Sequence, residues 1–516
     1  MRAPDAETLP AQIISGAAEN AGTELVFASE GRTFETSLGE LVADAERIAG
    51  ALEGLGIGSG DVVAVQLPGS YENAVVQTAV ALRGAVLLPI VLIYGPRELG
   101  FILRQSRAVA LFIPDTNRNR DHTEVARKLP ELPDLRTVVV VGEHVPDGMV
   151  PFADLAGRLA RPHTVPRPDP DARAMLVYTS GTTAEPKGVR HSHRSLLAEV
   201  FSLAPDRDVV ARRRDLGLFP PGHVAGLLSL LKIVLLGIPT VVMEVWEPAL
   251  AAKLADKYGV TNAVGAPVQL AGLLDERDRG TASLATLTEF MTGAANVSPA
   301  LIERAQQAGI SAYRTYGSSE HPTITTSTVA DPLVKRATTD GRVIEGCEIR
   351  IVDDEGRDVP EGEIVSRGPE LFLGYTDPDL NRTAFLPGGW FRTGDVGRLD
   401  ADGYLTITDR KKDIIIRGGE NISSKEVEDV LAEHAAVAQV AVVGMRDERL
   451  GERVCAFVVL RQGRTLTLDD VRAHFVAAGV ARQKTPERVV VTGELPRTPA
   501  GKVQKFALRK QLEIAG

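Results

Sequence analysis

The sequence predicts an α/β fold: a large, doubly wound, layered N-terminal α/β domain followed by a small C-terminal α+β domain. Three observations carry this. Helical and strand-like apolar periods alternate over the N-terminal part, the pattern of parallel strands joined by crossover helices. The chain has 516 residues, more than one ordinary core accommodates. Past Lys412 the texture changes to a compact set of about a hundred residues, the size of one further domain. The boundary is therefore expected between 411 and 412, giving domains 1–411 and 412–516.

The elements follow in order. Helices are expected over 38–55, 72–83 and 97–106, where apolar residues return every three or four positions. Strands are expected over 61–67, 86–90, 108–113 and 137–141, short runs rich in Val, Leu and Ile. The long hydrophobic stretch 225–243 carries Lys232 and is broken by Gly237-Ile-Pro239, so it reads as a buried helix followed by a strand and needs no membrane span. Another helix covers 299–308. In the C-terminal part the expected order is helix 424–433, strands 437–444 and 454–460, helix 468–478 and strand 488–492, with Ser423-x-x-Glu426 as a capping box. Gly54-Leu-Gly-Ile-Gly-Ser-Gly60 has no Gly-x-Gly-x-x-Gly register and follows a helix, so a dinucleotide fold fails.

Composition narrows the function classes. A formal net charge of −10 gives no electrostatic case for nucleic acid or an anionic membrane. Cys347 and Cys455 form no Cys-x-x-Cys, so they imply neither a disulfide framework nor zinc. His191-Ser-His193 has no third ligand in view and is expected on a polar surface. The N-terminal Met1-Arg-Ala-Pro-Asp-Ala-Glu has acidic residues and no apolar core, so no secretory signal is read and the cytoplasm is expected.

The chemistry concentrates in Tyr178-Thr-Ser-Gly-Thr-Thr-Ala-Glu-Pro-Lys-Gly-Val-Arg190. Thr179, Ser180, Thr182 and Thr183 supply hydroxyl donors, Gly181 and Gly188 allow close backbone approach to an anion, and Lys187 adds a point charge. This is a phosphate loop. A Walker loop needs Gly-Lys-Ser/Thr opening a helix, whereas Pro186-Lys187-Gly188 stands here.

The segment resembles the signature of the adenylate-forming superfamily: acyl-CoA and aryl-CoA synthetases, adenylation domains of peptide synthetases, and firefly luciferase. Four further segments resemble the family's motifs in the expected order, and the resemblance, closest to acyl-CoA synthetases, covers nearly the whole chain. They are Arg314-Thr-Tyr-Gly-Ser-Ser-Glu320, Trp390-Phe-Arg-Thr-Gly-Asp395 with Asp409-Arg-Lys-Lys-Asp413, Ile416-Arg-Gly-Gly-Glu-Asn-Ile422, and Leu495-Pro-Arg-Thr-Pro-Ala-Gly-Lys502. The resemblance implies that ATP meets Thr179 to Thr183 and Lys187, with adenine stacked on Tyr316 and the α-phosphate at Ser319. Gly293, Ala294, Ala295, Gly317 and Ser318 complete the nucleotide site. Glu320, with Thr182, would hold Mg²⁺, a hard cation that favours carboxylate and phosphate oxygens. Asp395 and Arg410 would take the ribose hydroxyls.

The resemblance implies that Lys502 is the catalytic lysine, with Glu320 and Lys187, and that it lies on a mobile C-terminal domain hinged at Lys412. Gly418 and Gly419 would line the channel for coenzyme A. Two departures stand out: Ala184 replaces the family's usual Gly, and Glu185 adds a negative charge. The acid would lie near His223, Gly265, Gly293, Ala294 and Gly317. No Asp stands between Leu216 and Lys232 to hold an α-ammonium, which disfavours an amino acid and suits an aliphatic, alicyclic or aromatic one. Alternative acceptors are a carrier-protein phosphopantetheine or a non-thiol nucleophile. An oxidative relative of luciferase type and a non-catalytic nucleotide binder are further readings. Retention of Lys187, Glu320, Asp395, Arg410 and Lys502 counts against the last.

Overall fold

The computed structural model describes residues 8–29, 31–157, 165–179, 186–204, 207–210, 212–417, 420–447, 449–498 and 502–515. Contacts divide the chain into two units. The first comprises Met1–Ala337, Ile344–Glu348 and Arg367–Thr383; the second comprises Thr338–Val343, Ile349–Ser366 and Ala384–Gly516. The second unit thus takes in more than 412–516.

The first unit is built on two largely parallel sheets. One runs in the order Glu24–Ser29, Thr240–Met243, Asp215–Gly217, Asn262–Gly265, Glu289–Thr292, Ser311–Tyr316, all parallel, with Arg32–Ser37 and Thr325–Thr326 antiparallel at either side. The other runs Lys187–Ser192, Arg173–Thr179, Val86–Pro89, Val62–Val65, Ala108–Pro114, Thr137–Val141, Val150–Pro151, with Lys187–Ser192 alone antiparallel. Central strands such as Val62–Val65 and Val86–Pro89 are buried throughout. Their uninterrupted apolar sequence therefore needs helices on both faces.

Those helices match the expected ones closely: Leu38–Gly54, Tyr71–Leu82 and Pro96–Ser106. Ser37 caps the first in a full capping box with Glu40. The stretch 225–243 becomes helix Val224–Leu236 and strand Thr240–Met243, divided at Gly237, whose φ of 65° ends the helix in the left-handed region. Lys232 is partly buried, and its charge interacts favourably with that of the buried Glu199. No helix among the described residues is long and apolar enough to cross a membrane.

The second unit holds an antiparallel sheet of Glu348–Val352, Gly362–Arg367, Phe385–Leu386, Trp390–Leu399 and Leu405–Arg410. It then follows the expected α+β order: helix Ser424–Ala432, the hairpin Val437–Asp447 with Gly451–Leu460, helix Leu468–Ala477, and strand Arg488–Val491 parallel to the hairpin's second arm. Ile415, Val427, Leu431, Val442 and Phe475 form its core. The capping box at Ser423 is only half made. The Ser423 hydroxyl accepts from Glu426 N at 3.0 Å, but the Glu426 carboxylate takes the Lys484 ammonium at 2.6 Å instead of the cap backbone.

Candidate active site

The phosphate loop joins two antiparallel strands. Arg173–Thr179 leads in, Lys187–Ser192 leads out, and Thr179 pairs with Lys187 across the ladder. Ser180, Gly181, Thr182 and Thr183, with Ala184 and Glu185, lie outside the described residues. A strand follows the loop where a Walker loop would open a helix.

Residues 373–376 run alongside the outgoing strand. Leu373 N donates to Arg190 O at 2.7 Å and Thr376 N to Gly188 O at 2.7 Å, which presents Tyr375 beside Lys187. A Cβ at Gly188 would lie 2.6 Å from Thr376 Oγ1 and 3.0 Å from Tyr178 Cζ, so packing of these two chains already demands glycine there. The Lys187 ammonium stands 5.5 Å from the centre of the Tyr375 ring, a cation–π geometry. The Tyr375 hydroxyl donates to Glu320 Oε1 at 2.8 Å. Burial, and then the carboxylate beside it, push that phenol well above its usual range, so it remains a donor. Tyr375 thus joins Lys187 to Glu320, which lie far apart in sequence. It belongs to the candidate site and was missed by sequence reasoning; the sole signal was Gly374-Tyr375, with Gly374 at φ 101°.

Glu320 follows strand Ser311–Tyr316 on a tight loop. Ile324 N donates to Tyr316 O at 2.8 Å, Ser318 N donates to His321 O at 2.9 Å, and the Ser318 hydroxyl accepts from Glu320 N at 3.2 Å. Gly317 permits this turn: a Cβ there would lie 1.9 Å from Pro322 O. Tyr316 is buried. The Ser319 carbonyl accepts from His191 Nε2 at 2.7 Å, which fixes the tautomer and leaves Nδ1 to accept from the Ser195 hydroxyl at 3.1 Å.

This corrects the expectation of a polar surface at 191–193, because both imidazoles are buried. His193 Nδ1 accepts from Leu9 N at 3.3 Å. Burial lowers both to about 4, so both are neutral at physiological pH.

Gly265 closes strand Asn262–Gly265, and Gly293 and Gly317 follow the neighbouring strands Glu289–Thr292 and Ser311–Tyr316. All three lie at carboxyl ends of adjacent parallel strands, where open α/β sheets bind ligands. A Cβ at Gly265 would lie 2.8 Å from Gln269 Oε1, and one at Gly293 would lie 2.7 Å from Thr315 O. A side chain would crowd its neighbours at both positions, side chains at Gly265 and backbone at Gly293, so these positions do not by themselves measure the room for an acid. Ala294 has φ 65°, the left-handed region that a Cβ disfavours, with Ala295 following in the same loop. His223 caps helix Val224–Leu236, its Nδ1 accepting from Ala225 N at 3.3 Å, and stacks on Phe219 at 5.9 Å.

In the second unit, Asp395 and Arg410 face each other across strands Trp390–Leu399 and Leu405–Arg410. Arg410 Nε donates to Asp395 Oδ1 at 2.8 Å, with the carboxylate buried and the guanidinium nearly half exposed. Gly394, at φ 73°, sets the bend before Asp395. Lys412 occupies a turn in which Asp413 N and Ile414 N donate to Arg410 O at 2.8 and 3.1 Å. Gly418 and Gly419 lie outside the described residues. Lys502 is tied to Thr498, with Thr498 N donating to Lys502 O at 2.7 Å and Lys502 N to Thr498 Oγ1 at 3.1 Å.

The donors at Glu320 suit Mg²⁺: a carboxylate oriented through one oxygen by a neutral hydroxyl, without a cationic side chain bonded to it among the described contacts.

A family model described as "AMP-binding enzyme" matches residues 16–376, and one described as "AMP-binding enzyme C-terminal domain" matches 426–502. The chain is 36% identical over 465 residues to a medium-chain fatty-acid–CoA ligase of Escherichia coli (strain K12), covering 89% of this chain and 82% of that protein. It superposes on the anthranilate CoA ligase AuaEII in complex with anthranoyl-AMP with a TM-score of 0.88, at 25% identity over 100% of this chain and 99% of that one. The amide bond synthetase McbA from Marinactinospora thermotolerans gives a TM-score of 0.84 at 27% identity, covering 98% and 99%.

Proposed function

This chain belongs to the AMP-binding enzyme family, and we propose that it is an AMP-forming acid–CoA ligase that activates a carboxylic acid with ATP and passes the acyl group to coenzyme A. The observation that carries this reading is the contact chain Lys187–Tyr375–Glu320, which sets a phosphate-binding cation and a metal-binding carboxylate on one aromatic side chain.

In the first half-reaction a carboxylate oxygen bonds to the α-phosphorus and the bridging P–O bond breaks, releasing pyrophosphate. Thr179, Ser180, Gly181, Thr182, Thr183 and Lys187 hold the leaving phosphates. Mg²⁺ at Glu320 and Thr182 would neutralise their charge. Lys502 bridges the acid and the α-phosphate, where negative charge builds in the transition state. Asp395 and Arg410 anchor the ribose, and Tyr316 to Ser319 with Gly293 to Ala295 surround the adenine and α-phosphate. In the second half-reaction the thiol sulfur bonds to the acyl carbon, AMP departs, and the thiol proton passes to solvent. Gly418 and Gly419 line the thiol's route, and rotation about Lys412 opens it, with 1–411 and 412–516 as the moving bodies.

The acid is aliphatic, alicyclic or aromatic, held near His223, Gly265, Gly293, Ala294 and Gly317. A second reading keeps the adenylation and changes the acceptor to an amine or a carrier-protein thiol; the likeness to an amide bond synthetase supports keeping it. Acid-dependent pyrophosphate release tests the first half-reaction. A panel of acids with free CoA or with amines then decides the acceptor. Pyrophosphate release without thioester in the presence of CoA would remove the ligase reading while leaving adenylation intact.

A further inference from the structure

Behind the Glu320 loop lies a group of side chains that the adenylation chemistry does not use. His321 Nε2 stands 3.2 Å from Cys347 Sγ, Cys347 Sγ stands 3.0 Å from Glu370 Oε2, and His321 Nε2 stands 3.9 Å from the same oxygen. His321 and Glu370 are buried, and Cys347 is partly exposed as a residue. The three come from separate segments, so no spacing in the sequence announces them.

A catalytic relay would place the imidazole between thiol and carboxylate, one on each ring nitrogen. Here thiol and carboxylate both converge on Nε2, the arrangement of three donors around one point. The mutual separations bracket the ~3.4 Å edge of a tetrahedral site whose metal bonds are about 2.0–2.3 Å, and a point about 2 Å from all three atoms exists between them. A second observation points the same way. Glu370 Oε1 is a buried oxygen without a hydrogen-bond partner, a costly state for a carboxylate. A chelating Glu370 would use it as the fourth donor. The pocket is also close-fitting: a Cβ at Gly368 would lie 2.7 Å from Cys347 Sγ and 3.1 Å from Glu370 Oε2.

We propose that His321 Nε2, Cys347 Sγ and both oxygens of Glu370 form a structural zinc site that fastens the loop carrying Glu320. On binding, the Cys347 S–H bond breaks, a sulfur–zinc bond forms and the proton leaves to solvent. One thiolate, one carboxylate, one neutral imidazole and a divalent cation then sum to zero charge, as a buried site requires. Thiolate and imidazole ligands favour zinc over Mg²⁺, which keeps this site distinct from the all-oxygen one at Glu320. The site also explains the fastening: Phe372 N donates to Glu320 O at 2.9 Å, so the segment bearing Glu370 and the loop bearing His321 already run together.

The test uses the full chain, produced with zinc and separately loaded with cobalt(II). Elemental analysis should find about one zinc per chain in wild type and in Cys455→Ser, and Cys347→Ser should lose it. Cobalt-loaded wild type should show a thiolate-to-cobalt charge-transfer band in the near ultraviolet, absent in Cys347→Ser and reduced in His321→Gln. Chelation should lower the melting temperature of wild type and leave that of Cys347→Ser unmoved. Zinc-free wild type with no cobalt band overturns the proposal, as does equal metal content in wild type and Cys347→Ser. These readouts do not depend on ligase activity.

Discussion

Removing the Tyr375 hydroxyl isolates the contact on which the site account rests. Tyr375→Phe keeps the ring under Lys187 and fills the same volume, deleting only the 2.8 Å bond to Glu320 Oε1. A hydrogen bond to a charged group contributes about 1.5–3 kcal/mol. Glu320 is partly exposed, and water replaces some of the loss, so the lower figure applies. At about 1.4 kcal/mol per decade, adenylation should slow by roughly tenfold. The freed carboxylate is also less well oriented, so half-saturating Mg²⁺ should rise several-fold. Acid-dependent pyrophosphate exchange, measured across a Mg²⁺ titration, reads both effects, and a thermal melt confirms that the fold persists. A titration and a rate superimposing on wild type would refute the claim that Tyr375 positions Glu320.

The remaining predictions address the second unit and the core. Lys502→Ala should cut acyl-adenylate formation by several orders of magnitude and leave ATP binding within a few-fold, because a bridging charge acts mainly in the transition state; exchange rates within a few-fold of wild type would exclude that role. Lys412→Pro should leave adenylation near normal and strongly reduce thioester output, since proline fixes φ near about −65° and blocks one of the two backbone states a hinge needs; equal support of both steps would put the hinge elsewhere. His191 is neutral when buried at about 4, against a usual 6.5, so the unfolded chain binds its proton first as pH falls. Stability from this residue is therefore complete above pH 6.5 and falls between 6.5 and about 4, by about 2 kcal/mol at pH 5. Urea unfolding of wild type and His191→Gln across that window should show a shallower loss in the variant, and parallel curves would mean that His191 does not titrate as described.

Much of this was legible because it is local. The helices and strands of the parallel sheets have long, uninterrupted periods, and 225–243 divided where Gly237 and Pro239 said it would. Asp395 and Arg410, paired by resemblance to a motif, meet on facing strands. What escaped depends on distant partners. In the sheet from Glu348 to Arg410 the longest strand, Trp390–Leu399, carries a register shift at Val396/Gly397 that breaks its alternation. His191 looked like surface because its partner, Ser319 O, is 128 residues away. Tyr375 carries no charge and stands in no phosphate motif, so only its contact with Glu320 marks it. The glycines at 265, 293 and 317 were expected near the acid, whereas Gly293 and Gly317 each accommodate a close backbone approach and Gly265 lies against the side chains of Gln269, Phe290 and Leu218.

The central claim is that the acid's own oxygen attacks the α-phosphorus, and a heavy-oxygen label in the carboxylate tests it directly. With ATP, CoA and the labelled acid, mass spectrometry should find one labelled oxygen in AMP and none in pyrophosphate, because the thiol later breaks the acyl–oxygen bond and leaves that oxygen on phosphorus. Unlabelled AMP, or label in inorganic phosphate alongside ADP, would contradict the account.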